Sequence, residues 1–303
     1  MNKNIFAIVG PTASGKSDLA LDLAQKLNSV ILSVDSLAVY KEIDIASAKP
    51  SKEELATVKH FGIDELNPDE KFSVIEFLEH FKKAKSYAKE HNKGLIIVGG
   101  TSFYLKVLSQ GISNLPKIEP NIKLEVQEIM LNLNIAYEFL KSIDLEYASK
   151  IASSDRYRVE KAIGIYKAVN MPPSQYFKEN PPEPVIPNLP IYEIAINRDI
   201  LRERINLRTS KMLEMGLIDE VAYLEHKYGR APQSMGAIGI KEVLDYFDGV
   251  YSKKELKDKI ATNTARLAKR QVTFNKSQLK IEFSGSVEEI KALLCSHRIG
   301  EYL

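Results

Sequence analysis

Near the start of the chain, Gly10-Pro11-Thr12-Ala13-Ser14-Gly15-Lys16-Ser17 sets two glycines with four residues between them and follows them with Lys-Ser. That spacing is a P-loop. The glycines let the backbone curl so that several N–H groups converge on phosphate oxygens. Lys16 adds a flexible cation, and the Ser17 hydroxyl is a ligand for Mg²⁺. A P-loop does not name a reaction, and its usual second half is an Asp closing another apolar strand. Here the run GLIIVGGTSFY ends in Gly99-Gly100-Thr101 without an acid, and the acid stands instead at Asp35, closing SVILSVDS. Asp35 beside a phosphate cradle suits a small-molecule kinase, where the acid handles an acceptor hydroxyl. It suits equally a transferase whose acceptor must lose a proton. The bland readings are a turn or cap for Asp35 and a helix N-cap for Thr101.

These residues need a frame. Ile5 to Val9 is a short apolar run stopped by Gly10-Pro11, as a buried strand would be. After the loop, Leu19, Ala20, Leu23, Ala24 and Leu27 form a stripe of helical period. VIEFLEHFKKAKSYAKEH is an amphipathic helix between the second and third strand candidates. Alternating strands and helices predict an α/β fold, a P-loop-type parallel sheet flanked by helices. The carboxyl ends of such strands line the ligand crevice, which places Asp35 and Thr101 near the P-loop. From about Leu115 to Val169 the pattern is helical only. MPPSQYFKENPPEPVIPNLP follows with seven of the thirteen prolines and predicts an extended connector rather than helix. IYEIAI then returns as a strand, and the remainder reads as helix. The expected division is 1–114 with 188–303 as the P-loop core and its helical C-terminal part, and 115–187 as an all-helical insertion.

Composition narrows the class. The 303 residues are 44% apolar and 27% charged, ordinary for a globular protein. No run approaches the ~20 apolar residues that span a bilayer, so no membrane partner is expected. The first residues enter a strand, leaving no room for a signal peptide, and a cytoplasmic enzyme follows. The single Cys295 excludes an internal disulfide, and the histidines (His60, His80, His91, His226, His297) lack metal-ligand spacing. The net charge of +2 is unevenly spread: nine basic residues face two acidic ones between Tyr251 and Lys280, and five face two between Arg198 and Lys211. A basic C-terminal part suggests a polyanionic partner, and a solvated helix face is the alternative.

The motifs GPTASGKS, SVDSLAVYKEIDIASAKP, GGTSFYLKVL, NRDILRERINLRTSKMLEMGLIDEV, MGAIGIKEV and ARLAKRQVTF, taken together and in order, resemble the bacterial tRNA dimethylallyltransferase family. The resemblance implies transfer of a dimethylallyl group from dimethylallyl diphosphate to N6 of the adenosine just 3′ of the anticodon, in tRNAs reading codons that begin with U. It implies that the P-loop, with Mg²⁺ at Ser17 as cofactor, grips a diphosphate leaving group rather than ATP. Under it Asp35 is the general base, Thr101 stands at the mouth of the reaction channel, and Lys16 and Arg204 take up charge. Arg198 and Arg204 are placed at the diphosphate; Arg208 shares a helix face with Arg204, one turn on. A salt-bridged surface with Glu203 is the alternative for these arginines.

The implied partner is the tRNA anticodon stem-loop, whose adenine must leave its stack to react. The resemblance assigns Asp35, Ser36, Leu37, Ala38 and Thr101 to the target base. Further tRNA contacts fall on Lys123, on Tyr157, Arg158, Val159, Glu160 and Lys161, on Gly239 and Lys241, and on Lys269 and Arg270. The sequence departs from the family at Lys161-Ala162-Ile163, where Arg-Ala-Leu is common, and at Phe274, where a tryptophan is frequent. The zinc-finger extension of eukaryotic relatives is not expected, and the enzyme is expected to be a monomer. Two other readings compete. An adenylate isopentenyltransferase acting on free AMP, ADP or ATP needs neither the basic C-terminal part nor the insertion, and a small-molecule kinase needs only the P-loop and the acid.

Overall fold

A computed structural model describes residues 5–296; His297 lies outside them. The chain divides into two compact units, residues 1–109 with 186–303, and residues 110–185.

The first unit is built on six parallel strands in the order β3-β2-β4-β1-β5-β6. Strand β1 (Ile5–Val9) feeds the P-loop and helix α1 (Lys16–Lys26); β2 (Ser29–Ser33) follows. Then come α2 (Lys52–Thr57), the two-residue β3 (His60–Phe61), α3 (Val74–Glu90), β4 (Gly94–Val98) and α4 (Ser102–Gln110). Strand β1 sits between β4, where Ile8 pairs with Val98, and β5, where Ala7 pairs with Ile191. Its side chains alternate between two cores. Ala7 and Val9 pack with Phe77 and Phe81 of α3 and Leu105 and Leu108 of α4. Phe6 and Ile8 pack on the other face with Leu19 and Leu23 of α1. A period of two meets a period of 3.6, and both faces of the sheet are covered, as a parallel sheet requires. Ser51 with Glu54 and Ser73 with Glu76 close capping boxes that start α2 and α3.

The second unit is helical: α5 (Pro120–Ile129), α6 (Leu133–Ile143), α7 (Leu145–Ala148), α8 (Arg156–Val169) and α9 (Pro173–Glu179). Val126, Met130, Leu140, Ala148, Val159 and Ile163 form its own core. Asp144, buried, accepts from the amides of Tyr147 and Ser174 and so fixes where α7 and α9 begin. Helix α9 corrects the expectation of an extended connector there. Pro173 occupies the first turn, where its missing N–H costs nothing.

The chain returns to the first unit with β5 (Ile191–Ile194), α10 (Arg198–Glu214), α11 (Leu217–Tyr228), α12 (Ile240–Phe247), α13 (Lys253–Gln278), β6 (Phe283–Gly285) and α14 (Val287–Ser296). Strand β6 is a second correction, since this stretch reads as helix in sequence; it adds to β5 through Glu193–Ser284 and its neighbours. Helices α11, α12 and the start of α13 pack with Val39, Tyr40 and Ile43 into a further core under the segment that follows Asp35.

Candidate active site

All four loops that leave the carboxyl ends of β1, β2, β4 and β5 lie along one edge of the sheet, where ligands bind in open α/β sheets. The first is the cradle. Ala13 (φ 65°) and Gly15 (φ 92°) take left-handed conformations, so the P-loop backbone curls instead of continuing the strand. A Cβ on Gly10 would stand 2.9 Å from Ser14 Oγ and 3.2 Å from Ile194, so only glycine fits the close pass beside β5. Ser14 is 1% exposed, and its hydroxyl has no hydrogen-bond partner among the described residues. A buried hydroxyl left open in a ring of amides matches a ligand rich in acceptor oxygens.

The second and third loops meet at Asp35. The Val34 carbonyl accepts from the Thr101 amide at 3.1 Å, and the Thr101 hydroxyl accepts from the Ser36 amide at 3.3 Å. Gly99 lies so close that a Cβ there would be 2.7 Å from the Val34 carbonyl carbon and 2.9 Å from the Asp35 nitrogen. Asp35 Oδ1 accepts from the amides of Leu37 (2.9 Å) and Ala38 (3.3 Å). Asp35 is therefore the turn residue that a bland reading would make it. The turn also orients the carboxylate while Oδ2 is left for another partner. The segment beyond is tied down from α11, where the Glu220 carboxylate accepts from the amides of Asp44, Ile45 and Ala46 at 2.7–2.9 Å.

Thr12, Lys16, Ser17, Asp35, Ala38 and Arg208 line one cavity of about 160 Å³, whose wall also carries Asp18, Lys49, Glu54, His60 and Gly99. Lys16 is 9% exposed and donates to the Pro11 carbonyl at 3.3 Å. Burial pushes its ammonium down to about 8; the Asp35 carboxylate opposes that shift and the Arg208 guanidinium adds to it. Burial likewise lowers Arg208, again opposed by Asp35. Three cations, Lys16, Lys49 and Arg208, and three carboxylates, Asp18, Asp35 and Glu54, line the cavity, and burial lowers both Lys16 and Arg208. Cations held down by burial gain when an anionic group enters beside them.

The arginines of α10 fall differently from expectation. Arg204 donates to the Ser14 carbonyl at 3.2 Å and braces the cradle from its exposed rim. Arg198 lines a second cavity, of about 910 Å³, between β5, α10 and α13, with Pro11 at its edge. Arg208, to which the sequence gives no role, is the α10 arginine lining the cavity of Lys16 and Asp35. The four-residue spacing of Arg204 and Arg208 carried that signal. Gln271, inside the AKRQ run, was also missed. Its Oε1 accepts from the Thr12 amide at 2.8 Å and its Nε2 donates to the Gly100 carbonyl at 3.0 Å.

The candidate nucleic-acid contacts divide by exposure. In the first unit Ser36, Lys241, Lys269 and Arg270 are exposed, Leu37 is half-buried and Ala38 is buried. Gly239 is buried at φ 96°, its amide given to Glu242 Oε2 at 2.7 Å, so it shapes the start of α12 and offers no surface. In the second unit Lys123, Tyr157, Arg158 and Glu160 are exposed. Lys161 lies over the Tyr157 ring at 5.7 Å, and Arg158 pairs with Asp155 at 2.5 Å. Val159 is a correction: it is fully buried in that unit's core, on the inward face of α8, and is closed to any partner.

A parallel sheet with a P-loop after its first strand, and a carboxylate sharing the P-loop's cavity, defines a P-loop α/β enzyme. Comparison with known proteins makes the class specific. The IPP transferase family model matches residues 38–278. A tRNA dimethylallyltransferase of Nautilia profundicola is 57% identical over 96% of this chain and 99% of its own length, and one from Sulfurimonas denitrificans is 52% identical over 96% and 98%. Among solved structures, the tRNA isopentenylpyrophosphate transferase of Staphylococcus epidermidis superposes with a TM-score of 0.68 at 33% identity, covering 99% of this chain and all of that one. A eukaryotic dimethylallyltransferase acting on tRNA superposes with a TM-score of 0.81 at 25% identity, over 92% of this chain and 73% of that one. The chain belongs to the IPP transferase family.

Proposed function

We propose that this chain transfers the dimethylallyl group of dimethylallyl diphosphate to N6 of the adenosine 3′ of the anticodon in tRNA, releasing diphosphate. The observation that carries the reading is the shared cavity: the cradle residues Lys16 and Ser17 and the carboxylate of Asp35 line one wall-to-wall space with Arg208. Membership of the family and the tRNA-acting relatives support the choice of acceptor.

The reaction breaks the bond between the allylic C1 and the diphosphate oxygen and forms a bond between C1 and N6. The cradle amides, Lys16 and Arg208 stabilise the charge that gathers on the leaving group as that bond lengthens. Because the amide dipoles are already fixed by the curled backbone, no reorganisation is needed as charge develops. The exocyclic amine of adenine is a weak nucleophile, and its proton passes to Asp35 as the nitrogen attacks. The oxygen donors at hand, the Ser17 hydroxyl with the diphosphate itself, fit Mg²⁺, which keeps waters and favours phosphate ligands. Bound there, the ion would neutralise leaving-group charge.

Incubating the protein with labelled dimethylallyl diphosphate and tRNA, AMP or no acceptor tests the reading. Label should enter tRNA alone; label in AMP alone, or γ-phosphate transfer from ATP, would replace it with one of the competing readings. Asp35→Asn should leave tRNA binding near normal and lower turnover by about 10²–10⁴, the range for a lost general base. Unchanged turnover would remove the base role from Asp35.

A further inference from the structure

Gln271 joins two loops that the sequence separates widely. From α13 it reaches the P-loop at Thr12 and the turn after β4 at Gly100, with one bond to each. A primary amide is the side chain for this position, because it offers one acceptor for an N–H and one donor for a C=O. The same contacts explain Gly100. Its φ is not among the left-handed ones, so its own backbone would admit another residue. A Cβ there, however, would stand 2.4 Å from Gln271 Nε2. The glycine makes room for the glutamine.

The bridge continues. Thr101, next in sequence, accepts from the Ser36 amide, and Ser36 adjoins Asp35, whose turn is closed by its own carboxylate. A hydrogen-bonded path therefore runs from the phosphate cradle through Gln271 to the loop of the carboxylate. We infer that Gln271 is a positioning residue which fixes the separation of the phosphate cradle from the loops of Thr101 and Asp35, and so the approach of amine to allylic carbon. The inference rests on the transfer reaction proposed above. Gln271 touches neither reacting atom; it acts through the two backbones that carry those contacts. It also lies directly after the exposed Lys269 and Arg270 on α13, so a polyanion held there adjoins the residue that braces the cradle.

The test compares wild type, Gln271→Ala, Gly100→Ala and the double variant. At saturating substrates Gln271→Ala should lower kcat by about 10–10², the scale of a misplacement near 1 Å, with the Kd for tRNA within about threefold of wild type. Gly100→Ala should fall similarly, because its methyl expels the glutamine amide, and the double variant should be no worse than Gln271→Ala alone. Amide hydrogen exchange at Thr12 should quicken in Gln271→Ala, a readout independent of turnover. Gln271→Met, of matching length without hydrogen bonds, replaces the alanine variant if that one folds poorly. A wild type that prenylates no tRNA would sink the proposed function itself. A working wild type with Gln271→Ala within twofold of it, an unchanged Thr12 exchange rate, or penalties that multiply in the double variant would overturn the positioning role of Gln271.

Discussion

Raising the pH should weaken diphosphate binding through a single group. Lys16 is buried in the cradle, and burial pushes its ammonium down to about 8 from the ordinary 10.5. That shift corresponds to roughly 3 kcal/mol against the charged form, since one unit is about 1.4 kcal/mol. An incoming diphosphate brings negative charge to the buried ammonium and lifts the group back, so binding above pH 8 takes up a proton. Affinity should then fall as the free lysine loses its charge: about 30-fold between pH 7 and 9.5 for a group titrating at 8. Calorimetric titration with a non-reactive prenyl thiolodiphosphate, in buffers of differing ionisation heat, measures both Kd and proton uptake. Lys16→Arg, which stays charged, should bind with a flatter pH profile. A Kd constant within threefold over that range, or an identical slope in Lys16→Arg, would refute the reasoning. The stability of the unliganded protein carries the opposite sign. A lysine held below its unfolded pKa costs stability below about 8, and the cost fades as pH rises from there toward 10.5. Guanidinium unfolding of wild type and Lys16→Met should therefore converge across that window.

Two further perturbations separate the site's supports from its partner surface. Glu220→Ala leaves the amides of Asp44, Ile45 and Ala46 without their acceptor and should cost about 2–4 kcal/mol in urea unfolding, given 1–3 per abandoned donor and partial rescue by water. Lys269→Ala with Arg270→Ala should weaken tRNA binding and lower the slope of log K against log salt by about 1–2, as lost phosphate contacts do; an unchanged slope would place the RNA elsewhere.

The sheet's centre was legible because β1, β2 and β4 are short apolar runs closed by Gly, Pro or Asp, β5 lies in the β-prone run IYEIAI after Pro190, and the period of α1 and α3 is unbroken. The edges were not. Strand β3 has two residues and β6 three, too few to show an alternation, and both exist because a neighbouring strand offers unpaired backbone. The proline-rich stretch hid α9, because only position within the first turn decides whether a proline breaks a helix. In the site, Lys16, Ser17 and Asp35 were readable from spacing. Arg208 was passed over for Arg198, since a sequence shows which helix face residues share but not which cavity that face meets. Val159 shows the converse: a contact run along a helix always includes inward residues, and here the fourth residue of RYRVEK is core. Gln271 stands in the quoted ARLAKRQVTF run, but its role was hidden because its two partners come from loops far along the chain.

The order of strands has a consequence for how the molecule is made. Ala7 pairs with Ile191, and between them lies a helical unit with a core of its own. A ribosome adding 5–20 residues per second needs roughly 4–15 s to emit those intervening residues 110–185. Through that interval β1, the strand that bears the cradle, has one bare edge and no neighbour yet synthesised to cover it. The helical unit can close meanwhile, on local contacts alone. The cradle's far wall, and Gln271 with it, arrives only with the last strands, so a chain stalled in the insertion holds a P-loop without the brace that aligns it.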